Sequence, residues 1–149
     1  MFKALFFLHL LTAIFAVGPL VHAATTASRG LRRADAATTT YTARMLRIYA
    51  YSSVLVVVFG FAVMSTTSPY THRPTASFTE TWIWLSFLLW ALAMALSLGV
   101  IAPALARAAA LMGSGSPLGR LTARVAVAGS GVGLLFAVIV VLMVFQPGG

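Results

Sequence analysis

Residues 125–145 read VAVAGSGVGLLFAVIVVLMVF, and no ionisable side chain interrupts them. The hydrocarbon core of a bilayer takes about 20 apolar residues as helix. A chain in lipid must satisfy its backbone hydrogen bonds within its own segment. The stretch therefore predicts a membrane-spanning α-helix. Three more stretches follow the same rule, at about 4–24, 48–64 and 80–106. The expected fold is all-α: one integral membrane domain over residues 1–149, built as a four-helix transmembrane bundle.

Composition agrees. Hydrophobic residues make up 60% of the chain and charged residues 8%. Ordinary soluble domains hold about 45–50% and about 25%. The only acids are Asp35 and Glu80. A soluble domain needs a charged skin that this chain cannot make, and a disordered chain would be far more polar. Cysteine is absent, which excludes disulfides, thiol chemistry and cysteine-held metals.

The charge is +8, and nine of the ten basic residues are arginines. Five lie between the first two spans (Arg29, Arg32, Arg33, Arg44, Arg47) and three between the last two (Arg107, Arg120, Arg124). Arg73 alone lies between the middle pair, and Lys3 precedes the first span. The positive-inside rule puts the eight in the cytoplasm and both termini outside, as four spans require. These arginines read as topology signals and contacts for anionic lipid headgroups, not as a nucleic-acid surface. The arginine and alanine bias fits a GC-rich bacterial genome, so a multi-pass protein of the bacterial inner membrane is expected.

The first stretch has signal-peptide features: Lys3 before an apolar run, and VHA at 21–23 resembling a cleavage site. Its run of about 20 residues exceeds the 7–15 of such signals, so it reads as a retained span. Tyr70, Phe78, Trp82 and Trp84 mark the outer interface, and Tyr41, Tyr49 and Tyr51 the inner one. SFTE at 77–80 is a capping-box pattern for the third helix, with Ser77 capping and Glu80 reaching back. Asp35, among arginines, reads as a solvated ion pair. From Glu80 to Ala110 is about 45 Å of helix, longer than the bilayer core, with a bend expected at Pro103. Loops are expected at 25–47, 69–74 and 112–117.

Chemistry is sparse. No Asp, Glu, Lys or Arg lies centrally in a span, which argues against a pump or proton-coupled transporter. His9 and His22 are 13 residues apart on one helix, about 20 Å in rise, so they cannot share a ligand. His9 is the one cofactor-binding candidate, with Met64 or Met143 as a second haem ligand. The competing reading is a histidine hydrogen-bonded across a helix interface. His72 falls in a loop. The GSGVG run at 129–133 is no phosphate loop, because it lies inside a span with no preceding strand and no lysine. No catalytic set, metal or cofactor is expected.

Packing carries more signal. Ala91, Ala95 and Gly99 make a small-xxx-small face on the third helix. Gly129 with Gly133, and Ala126 with Ser130, do so on the fourth. The expectation is that these two helices pack on each other, with docking of a partner as the alternative. The bulky side of the fourth helix (Phe136, Ile139, Val140, Met143) is expected to face lipid or a larger neighbour.

KALFFLHLL at 3–11, followed by Gly18 and Pro19, resembles the opening helix of small bacterial integral membrane proteins of unknown function. Those are distantly similar to the copper-resistance D membrane proteins. GVIAPALAR at 99–107 resembles a later helix of the uncharacterised group. The resemblance implies four or more spans. In size and span count the chain also resembles small accessory subunits of actinobacterial cytochrome bcc–cytochrome c oxidase supercomplexes. Three functions stand: a structural accessory subunit docking on other membrane subunits; a haem or metal protein using His9; a small transporter or lipid-handling protein.

Overall fold

Each apolar stretch seeds a helix longer than the bilayer core. The computed structural model describes residues 1–67, 69 and 76–147. It holds four helices long and apolar enough to cross a membrane: Phe2–Arg32, Ala36–Met64, Thr81–Leu111 and Gly119–Phe145. No strand forms among the described residues. The helices run up and down, so both ends of the chain lie opposite the arginine-rich turns. Tyr70, His72 and Arg73, and most of the expected 69–74 loop, lie outside the described residues.

The expected loop over 25–47 is instead almost entirely helix, and only three residues separate the first two helices. Propensity alone does not explain this, because TTTYT at 38–42 is a run of poor helix formers; the chain gains by burying Ala27, Leu31, Ala43 and Leu46 beyond the apolar runs. The turn itself is specified residue by residue. Ala34 takes the left-handed conformation (φ 50°) and donates its N–H to Leu31 O, while Asp35 N–H reaches Gly30 O. That is a Schellman stop. Asp35 then caps the next helix, accepting from Thr38 N at 3.0 Å and from the Thr38 hydroxyl at 2.5 Å. The cap, rather than the expected solvated ion pair, is its main contact, with the Arg33 charge as a smaller contribution. Close approach seals the corner, because a methyl group at Gly30 would lie 2.8 Å from Thr39 Oγ1.

The third helix opens with half of the expected box. Glu80 reaches back to Ser77 N at 3.0 Å and also takes Trp82 Nε1–H at 2.6 Å. Ser77 Oγ turns to Thr79 instead, and Glu80 itself is the capping residue.

Just before Pro103, where a bend is expected, the helix changes its winding, and an unexpected twin sits before Pro19. A five-residue π turn over Ala13–Val17 precedes Gly18 and Pro19. Another over Ser97–Ile101 precedes Ala102 and Pro103. A proline inside a helix lacks an N–H, and its ring crowds the carbonyl four residues earlier. A π turn widens the helix at that place and redirects it.

Packing partners change across the two π turns. Toward the termini, Phe2–Thr12 packs on Val54–Met64, and Thr81–Leu96 packs on the fourth helix. Beyond the π turns, Gly18–Thr26 packs on the fourth helix, and Ala102–Leu111 packs on Ala36–Ser52. The first and third helices thus exchange partners half-way across the bundle. All four meet at the middle and arginine end, around Leu20, Leu46, Ile101, Leu105, Val125 and Val132. A smaller cluster of Trp82, Ile83 and Leu142 closes the other end. Between them, Trp90 Nε1–H donates to Ser53 Oγ at 3.1 Å and ties the second helix to the third.

Candidate functional site

The third and fourth helices pack on each other as expected, but their two small-residue faces do not meet. The glycines of the fourth helix receive the first. A methyl group at Gly129 would overlap the Ala24 carbonyl oxygen and sit 2.9 Å from its carbon. One at Gly133 would lie 3.1 Å from Thr25 Cγ2. Ala126 is half-buried beside this seam, and Ser130 is exposed. The receiving residues Val21, Ala24 and Thr25 carry no distinctive pattern. They lie just past the π turn that precedes Pro19, in the part of the first helix that packs on the fourth.

The small-residue face of the third helix points out of the bundle. Ala95 and Gly99 are exposed and Ala91 is half-buried. Nothing lies within 4 Å of a methyl group added at Gly99. The buried line is Ala93, Ser97, Ile101 and Leu105. It has the same four-residue spacing but is offset by two residues, which is about 200° around the helix. Large side chains flank the outward stripe: Trp84, Leu88 and Leu92 are 57%, 64% and 49% exposed. Inward, the hydroxyls of Ser86 and Ser97 have no partner among the described residues.

The bulky side of the fourth helix divides. Phe136 is buried in the main core and Ile139 packs against it, contrary to the lipid-facing expectation. Val140 and Met143 are exposed as expected. The helix turns Phe136 inward because it follows Gly129 and Val132 along the buried face.

His9 crosses a helix interface. Its Nδ1 lies 2.9 Å from the Val56 carbonyl oxygen. A carbonyl only accepts, so Nδ1 carries the proton and Nε2 is turned away from that bond. Gly60 makes room, since a methyl group there would lie 3.2 Å from His9 Cε1. Met64, one helical turn beyond Gly60, packs against the Trp82 cluster, and Met143 is exposed. His22 is exposed. Among the described residues no three His, Asp or Glu side chains come together to hold a metal.

Arg29, Arg32, Arg33, Arg44, Arg47, Arg107, Arg120 and Arg124 are all exposed at one end of the bundle. Arg29 and Arg32 ride the last turn of the first helix, while Arg44 and Arg47 ride the second. The family comparison adds one finding. Residues 3–147 match the family described as predicted integral membrane protein, DUF2269. The chain belongs to the DUF2269 family. The match covers the four helices of this DUF2269 protein except Phe2, both π turns included. No curated protein and no solved structure matches the chain.

Proposed function

We propose that this membrane protein is a non-catalytic accessory subunit that docks on other integral membrane subunits through the outward face of its third helix. The observation that carries the reading is the bare stripe of Ala95 and Gly99, which no part of the chain covers among the described residues. Helices associate in lipid by close backbone approach over such faces. Large exposed side chains flanking a flat strip give a partner helix both a track and walls. The proposed host is a respiratory assembly of the cytochrome bcc–cytochrome c oxidase type in a bacterial inner membrane. Size, span count and composition support that choice. Extraction in mild detergent tests the reading: companion subunits are expected to travel with the tagged chain, and purification of the chain alone would refute it.

A second reading rests on His9. Ligating histidines commonly give their other ring N–H to a backbone carbonyl, which is how His9 Nδ1 is held by Val56. An absorption spectrum of the purified protein, with metal analysis, decides it. A Soret band or bound metal lost in His9→Ala is the result it requires, and a featureless, metal-free protein ends it.

A further inference from the structure

The second and third helices leave a groove at the arginine end that no acid of the chain fills. Its volume is about 570 Å³, within the range of small-molecule sites. Arg44 and Arg47 stand along one wall on the second helix, and Ile48 and Tyr51 continue that wall toward the apolar span. Ala106 and Ala109 of the third helix make the low opposite side. The order matters. Along the second helix the lining passes from guanidinium to aliphatic to phenol, as the chain passes from its polar start into the apolar run beginning near Ile48.

Charge is unbalanced here. The chain has two acids, Asp35 and Glu80. The Asp35 carboxylate is taken by Thr38 at the turn. Glu80 is held by Ser77 and Trp82 at the opposite end. Neither reaches the groove, so a counter-ion for Arg44 and Arg47 must come from outside the chain. A phosphate oxygen pair suits the planar fork of arginine. The apolar continuation suits an acyl chain.

We infer that this groove binds an anionic glycerophospholipid, its phosphate on Arg44 and Arg47 and one acyl chain laid along Ile48 and Tyr51. This is a single seat, distinct from diffuse attraction by the eight exposed arginines. It stands whether or not the chain has a protein partner. Other anion sources share the phosphate chemistry but lack the chain that the apolar half would hold.

The full-length protein in nanodiscs of phosphatidylcholine with one tenth phosphatidylglycerol provides the test, with bound lipid counted by native mass spectrometry. The double variant Arg44→Gln, Arg47→Gln is expected to weaken phosphatidylglycerol binding about twenty-five-fold, at roughly a factor of five per charge-assisted contact. The pair Arg120→Gln, Arg124→Gln removes equal charge elsewhere and is expected to cost less than about threefold. Ala106→Phe keeps every arginine, sits at an exposed position and plugs the groove, so it is expected to release the lipid as well. Equal losses in the two arginine pairs, or full retention in Ala106→Phe, would overturn the seat. Displacement of the lipid by millimolar inorganic phosphate would assign the arginines to a soluble anion and overturn the lipid.

Discussion

Two glycines thirty residues apart show how little the residue type says by itself. Gly129 lies against the backbone of Ala24, and Gly99 lies against nothing. The same substitution is therefore expected to act with opposite signs. Gly129→Ala forces the first helix off the fourth and should cost about 1–3 kcal/mol, the usual range for overpacking. Gly99→Ala removes backbone freedom without a clash and should gain up to about 1 kcal/mol. Thermal unfolding of the two variants in one detergent checks both. A Gly99→Ala protein as unstable as Gly129→Ala would show that the third helix faces inward along that line. The chain alone names both as small-face residues but leaves their partners open. Two rows of four-residue spacing run along the third helix, and composition favours the row that turns out to be exposed.

At the scale of elements, the four spans are legible because apolar length is a direct physical requirement of the bilayer. Their ends are less so. Helix continues beyond the apolar run wherever small residues pack, and hydropathy alone does not register that gain. The turn at residues 33–35 is the instructive case. Its stop is set by Ala34 in a conformation usually left to glycine, and its restart by Asp35. The Thr38 hydroxyl, foremost, and then the Thr38 N–H hold the Asp35 carboxyl below its ordinary value, with Arg33 adding to the effect. A lowered folded value means the cap contributes fully above the unfolded value and fades as pH falls through the folded one. Asp35→Asn accepts the same bond without ionising. Amide exchange at the start of the second helix should therefore quicken in the native protein, but not in Asp35→Asn, as pH drops below the ordinary carboxylate range. Identical acid profiles for the two would remove the charged cap from the account.

Over the whole molecule, the unexpected feature is the exchange of partners at two proline-linked π turns. An irregularity near Pro103 is legible from one proline in a long helix. Its twin at Pro19 hides in a segment that also reads as a signal peptide. The first helix is the least buried: 11% of its most apolar window is covered, against 22–28% in the others. Its first eleven helical residues, Phe2–Thr12, include none that is buried. The total surface is also large. The chain exposes 8726 Å², where a compact soluble monomer of 15.7 kDa exposes about 7,300 Å². A bundle tight at its arginine end and sparsely covered elsewhere has apolar faces to share with lipid or with other subunits.

The measurement that bears most directly on the proposed docking compares wild-type chain with the double variant Ala95→Leu, Gly99→Leu, each tagged and extracted from its native membrane in mild detergent. Companion subunits are quantified by mass spectrometry, with thermal unfolding followed in parallel. The account predicts a loss of companions of about tenfold or more, equivalent to roughly 1.4 kcal/mol of association, with the unfolding temperature unchanged. Companions retained at the wild-type level by a folded variant would contradict it and leave that face to lipid.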